Sequence, residues 1–203
     1  MPAESDPAES DACAVAHGAG PLPVPQAPAS AATASQPTAS QPAAARADGE
    51  PPARTLVAVF ASPVSGYLLR YAADAGFRSV LVEPDAGRAE AARMAGFPVF
   101  TAMPEDLDDA DVVVTDHHRD ELGTALRDAL ATKARWVGIM GNPRHVGPHV
   151  AALTELGVGE ADIARVHRPI GLNIGSRIPA EIAISTLAGL LADRNSRPGG
   201  FAF

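Results

Sequence analysis

The residues best suited to chemistry crowd one short stretch, Pro169-Ile170-Gly171-Leu172-Asn173-Ile174-Gly175-Ser176-Arg177, which runs straight into Pro179-Ala180-Glu181. Gly171 and Gly175 let backbone come close to a ligand. Asn173 lies between them, and the fork of Arg177 suits phosphate oxygens. Pro179 and Glu181 fit the first turn of a helix, whose N-terminus favours anions. The stretch reads as an anion or cofactor contact; its structural alternative is a glycine-dependent turn with Asn173 in a left-handed conformation.

A second group follows an apolar run that ends at Gly141. Asn142 and Pro143 form a natural N-cap and N1 pair, and Arg144 one turn in is placed to meet a phosphate or a carboxamide. The alternative there is a plain cap with an exposed cation. His117 and His118 stand beside Asp116 and Asp120, a set able to ligate a metal or shuttle protons, or to form a solvated loop. His145 and His149 have the i, i+4 spacing of helical ligands, but Gly147 and Pro148 intervene. A helix starting afresh at Pro148 puts the two imidazoles off a common face. No metal site and no catalytic side chain are assigned. The acidic run Glu105 to Asp111 reads as a solvated loop.

A dinucleotide-binding turn calls for Gly-x-Gly-x-x-Gly after the first strand. Here the turn reads Ala61-Ser62-Pro63-Val64-Ser65-Gly66, keeping only Gly66. Ser62 and Ser65 offer hydroxyls to an anion at the helix N-terminus, and Pro63 equally suits position N1. Glu83 closes the second strand, about twenty residues on, where an acid meets ribose hydroxyls.

The elements that must position these groups alternate. Continuous apolar runs of strand length cover residues 56–61, 80–83, 98–100, 111–115 and 136–141, the mark of strands covered on both faces. Helical spacing covers residues 63–75, 86–95, 121–133, a segment ending near Leu156, and 179–193, with Gly76, Gly96 and Gly157 as terminators. Such alternation predicts a doubly wound, mostly parallel α/β sheet of Rossmann-like type, with ligands at the carboxyl ends of its strands.

Composition bounds the domain. Residues 1–53 hold no Phe, Trp, Tyr or Ile and read as a disordered Ala/Pro/Ser-rich tail, leaving residues 54–203 for one domain. The formal net charge of -8 and the lack of a basic block exclude duplex nucleic acid as an expected partner. Cys13, the single cysteine, permits no disulfide within the chain and fits a cytoplasmic location. The N-terminus has no secretory pattern, and no apolar run reaches membrane-spanning length.

Taken together, the residues from about Leu56 to Arg194 resemble the C-terminal Rossmann-like domain of the XdhC/CoxI family. The strongest blocks are Val137-Gly138-Ile139-Met140-Gly141-Asn142 with Arg144, Leu156-Gly157-Val158, Ile163-Ala164-Arg165-Val166-His167, and the Pro-Ile-Gly-Leu-Asn-Ile-Gly-Ser stretch; Glu83-Pro84 resembles the family's acid-proline pair. The resemblance implies an accessory factor that holds the molybdenum cofactor, assists its sulfuration and delivers it to a molybdenum hydroxylase such as xanthine dehydrogenase or carbon monoxide dehydrogenase. It also implies a tendency to form homodimers. The chain departs from the family pattern in the glycine-poor first turn, in Thr115-Asp116-His117 for Thr-His-Asp, in Ile178 where a Thr cap is usual, and in lacking the cysteine-bearing N-terminal domain. Two other readings stay open: an NAD(P)-dependent oxidoreductase, and a degenerate Rossmann interaction module without a small-molecule ligand.

Overall fold

The structure is a computed structural model that describes residues 54–141 and 146–200. Along the chain run β1 (Thr55–Val59), α1 (Pro63–Asp74), β2 (Arg78–Val82), α2 (Ala86–Met94), β3 (Val99–Phe100) and β4 (Asp111–Val114). Then follow α3 (Leu122–Ala131), β5 (Trp136–Ile139), α4 (Pro148–Glu155), α5 (Glu160–Ile163), β6 (Val166–His167) and α6 (Pro179–Arg194).

The six strands form one sheet in the order β3-β2-β1-β4-β5-β6, every pair parallel. This is the doubly wound arrangement expected from the alternation, with the strand order reversing between β1 and β4. Side-chain alternation along β1 sends Leu56 and Ala58 to one face and Val57 and Val59 to the other. The first face packs against Leu68 and Leu69 of α1 and Leu187 and Leu190 of α6. The second packs against Leu122, Leu126 and Leu130 of α3 and Leu153 of α4. Each fully buried Leu or Val on these faces stabilises the fold by about 1.5–3 kcal/mol.

Glycine ends the first helices as their sequence suggested. Gly76 has φ 82° and Gly96 has φ 87°, and the next amides, Phe77 and Ala92's partner Phe97, reach back to Ala72 and Ala92 carbonyls at 2.9 and 3.1 Å. Two elements escaped the sequence reading. β6 is only two residues long and α5 four, too short for any periodicity to register. The fifth strand also stops at Ile139, although the Met140 amide still donates to the Val114 carbonyl at 3.0 Å. No helix among the described residues is long and apolar enough to cross a membrane.

Register fixes where the loops emerge. Val59 lies opposite Val82 and Val114, and Val114 opposite Ile139. Phe60-Ala61, Glu83, Thr115 and Met140-Gly141 therefore leave the sheet along one edge.

Candidate functional site

At the point where the strand order reverses, the ends of β1 and β4 are tied together. Ser62 and Ser65 form a reciprocal capping box: the Ser65 amide donates to Ser62 Oγ at 3.1 Å and the Ser62 amide to Ser65 Oγ at 2.8 Å. Ser65 Oγ donates in turn to the Ser62 carbonyl at 2.9 Å. Ser62 Oγ donates to Thr115 Oγ1 at 3.1 Å, and Thr115 Oγ1 lies 3.0 and 2.9 Å from the Val59 and Phe60 carbonyls. All three hydroxyl residues are buried. Gly66 is buried in the same first turn of α1, where its amide reaches the Ser62 carbonyl at 3.1 Å. The two serines that the sequence offered to an anion thus spend their hydroxyls on the turn itself.

Glu83 is also committed internally. It is fully buried, and its carboxylate accepts the Ala61 amide at 2.7 Å and the Asp85 amide at 2.9 Å. Arg119 grips the same carboxylate with both ends of its fork, at 3.0 and 3.2 Å, while reaching Glu121 at 3.1 and 3.3 Å. Burial works against the Arg119 charge, but its hydrogen bonds to Glu83 and then to Glu121 outweigh it and hold the guanidinium above its ordinary value. Its carbon lies 4.7 Å from the Phe60 ring centroid. Phe60 itself has φ 73°, a conformation costly for a bulky residue. Full burial and the guanidinium over its ring secure it there. The acid placed for a ribose by spacing is therefore a structural anchor between β1, β2 and the loop after β4.

The loop from Pro169 to Ile178 is built differently. Gly171 and Gly175 take the left-handed backbone, with φ 84° and 67°. A Cβ on Gly171 would lie 2.8 Å from Ser185 Oγ and 3.1 Å from the Thr186 Cα, so the loop rests directly on α6. From the other side, a Cβ on Gly189 would meet Gly171 Cα at 2.9 Å. The Leu172 amide donates to the Ser185 carbonyl at 3.1 Å, and Ser185 Oγ donates to the Leu172 carbonyl. Gly175 has nothing within 4 Å of a would-be Cβ. Asn173 and Arg177 are exposed. Ile178 provides no side-chain cap for α6; Ser176 instead accepts the Ile178 amide at 3.0 Å and donates to Glu181.

Neither described cavity includes Arg177. The one beneath this loop has a volume of about 240 Å³ and lies between Trp136, His167, Ile170 and the C-terminal half of α6. The Trp136 and His167 rings stack there with centroids 5.0 Å apart. Arg177 is exposed and lines neither of these two cavities.

At the end of β5, Gly141 backs onto Arg168, whose Nε lies 2.8 Å from where a Cβ would be. Asn142, Arg144 and His145 lie outside the described residues, as does Cys13. His149, the second residue of α4, is buried. His117 and His118 have ring centroids 4.0 Å apart, and the His118 amide caps Asp116 at 2.9 Å. No group of three or more His, Cys, Asp or Glu able to hold a metal occurs among the described residues.

The fold therefore gathers Ser62, Ser65, Gly66 and Glu83 into one hydrogen-bonded knot, and sets Gly141 and the Gly171–Arg177 loop apart from it. Sequence reasoning missed Thr115, Arg119 and Arg168. An arginine five residues after the end of β4 was the available signal for Arg119. For a pterin phosphate, the exposed guanidinium of Arg177 and the open backbone at Gly175 are suitable donors. No thiolate for molybdenum occurs among the described residues.

Residues 56–190 match the family described as "XdhC Rossmann domain". The "Uncharacterized protein YqeB" of Escherichia coli strain K12 is 39% identical over 104 residues, covering 50% of this chain and 19% of that protein. The chain thus spans about a fifth of the length of this curated relative. A crystal structure described as a xanthine dehydrogenase from Bacillus halodurans aligns with a TM-score of 0.56 at 24% identity, over 71% of this chain and 45% of that one. At that identity the likeness is one of fold.

Proposed function

The chain belongs to the XdhC Rossmann-domain family, and from that premise we propose that it is an accessory factor for a molybdenum hydroxylase of xanthine dehydrogenase type. It binds the molybdenum cofactor, or a nucleotide form of it, and assists its delivery in the cytoplasm. The observation that supports this most is the glycine-rich loop before α6. Its left-handed glycines present backbone at the sheet edge beside the Arg177 guanidinium. Gly175 would let a ligand's phosphate approach the main chain, Arg177 would pair with its oxygens, and Asn173 would orient the adjoining ring. The cofactor supplies the metal chemistry, and these side chains only bind and orient.

A nicotinamide dinucleotide is less well served. In the turn after β1 the Ala61 and Ser62 amides and both serine hydroxyls are engaged by Glu83, Ser65, Thr115 and the Ser62 carbonyl. The same engagement favours a second reading, an interaction module that docks a hydroxylase subunit without holding a small molecule.

Thermal unfolding of the full chain separates the readings, because a ligand that binds only the folded state raises the midpoint by mass action. A rise with isolated molybdenum cofactor, absent with NAD(P)H, is expected. No rise with either, together with co-purification of a hydroxylase subunit, would establish the docking module instead.

A further inference from the structure

We propose that the start of α4, bounded by Gly147, His149 and Arg168, is a binding subsite for a phosphate dianion, free or as the monoester end of a small cofactor. The subsite does not depend on the accessory-factor reading.

Three independent observations meet there. First, α4 has Gly147 as its N-cap and no side-chain cap, so among the described residues none hydrogen-bonds to the amides of its first turn from a side chain. Second, His149 is 8% exposed, and its Nδ1 is buried without a hydrogen-bond partner. A buried polar atom left so is costly unless a ligand completes it. That atom faces the helix start, since a Cβ on Gly147 would lie 2.4 Å from both Nδ1 and Cε1 of the ring. Third, Arg168 arrives at the same place from the end of β6, its Cδ 3.0 Å from that Gly147 position and its guanidinium against Gly141.

The two glycines have a common purpose. Any side chain at Gly141 would strike the guanidinium, and any at Gly147 would strike the imidazole and the arginine stem. Their absence lets a cation and an imidazole press side by side onto backbone at the carboxyl end of β5. Burial first, and the Arg168 charge second, then hold His149 below its ordinary pKa. An uncapped helix start beside a buried imidazole and a guanidinium matches a dianion, which would accept from the His149 and Val150 amides, from Arg168 and from an Nδ1–H.

The test follows the amides of His149 and Val150 and the His149 ring by NMR in the full chain. Sodium phosphate is titrated against sodium chloride at matched ionic strength. Saturable shifts confined to these groups are expected with phosphate alone. Arg168→Gln is expected to weaken phosphate at least about tenfold, equivalent to about 1.4 kcal/mol. His149→Gln, which keeps a polar side chain in place, guards against a folding defect in the first variant and is expected to weaken it similarly. Arg177→Gln is expected to leave it unchanged. Equal shifts with chloride, no saturation, or undiminished affinity in both Arg168→Gln and His149→Gln would overturn the subsite. An arm with adenosine monophosphate separates the sources: tighter binding than phosphate points to a monoester, weaker to the free ion, and both support the subsite. If phosphate binds here while molybdenum cofactor leaves the thermal midpoint unmoved, the accessory role fails and the subsite stands. The converse removes the subsite alone.

Discussion

Arg119 clasps Glu83 end-on, both guanidinium amino groups meeting both carboxylate oxygens at 3.0 and 3.2 Å, with the Glu83 side chain 0% and the Arg119 side chain 10% exposed. A pair so deeply placed is worth little against a hydrophobic replacement, but breaking it strands a charge. Its energetic signature is therefore asymmetric.

Arg119→Ala is expected to lower the unfolding free energy by about 3–5 kcal/mol, because Glu83 keeps its burial and loses its counter-charge. Adding Glu83→Gln to that variant restores part of the loss. Urea denaturation of the two singles and the double measures the coupling. Strict additivity would mean that the two side chains do not depend on one another.

Gly171 and Gly175 share a left-handed backbone yet differ in their surroundings. Gly175→Ala meets only the conformational penalty, about 1–2 kcal/mol. Gly171→Ala adds a collision with the backbone of α6, for a total of about 2–4 kcal/mol. Denaturant midpoints for the two variants should rank in that order, and the reverse order would show that the loop does not rest on the helix.

Asp111 joins the fold's other buried charge cluster. It is fully buried, accepts Arg135 at 2.6 Å and Arg194 at 2.5 Å, and Arg135 extends to Asp193 at 2.7 Å. Asp111→Ala is expected to cost about 3–5 kcal/mol. Lys133→Ala, which removes an exposed pair with Asp108 at 3.8 Å, should cost less than about 1 kcal/mol. Calorimetric melting of both variants checks the contrast.

His149 gives the stability a pH slope. Burial, then Arg168, lower its folded pKa, so the folded chain keeps the ring neutral where the unfolded chain already binds a proton. Stability is therefore full above the unfolded value of about 6.5 and falls as pH drops below it. His149→Gln should flatten that fall in denaturation curves recorded in a phosphate-free buffer. An unchanged slope would mean that the ring is protonated equally in both states.

The sheet was legible because its signals are local: Val-rich runs of strand length, and the glycines Gly76, Gly96 and Gly157 just past α1, α2 and α4. The knot at the first turn was only half legible. Spacing singled out Glu83, Ser62 and Ser65, but their partners lie far along the chain. Arg119 is 36 residues from Glu83, in the stretch whose alternative reading was a solvated loop, and Thr115 is 53 residues from Ser62, at the end of the fourth strand. Asp111 was likewise grouped with an acidic surface run, since nothing local announces that Arg135 and Arg194 fold over it. Burial of His149 depends on Arg168 and two glycines from other elements, a convergence that only the tertiary structure creates.

The backbone contact between Gly171 and Gly189 carries a mechanical consequence. The loop and α6 form one stiff bar, bolted at its far end by Arg194 to Asp111 on the opposite rim of the sheet. Two fixings five residues apart leave the C-terminal part of the helix little room to shift independently of either the loop or the sheet.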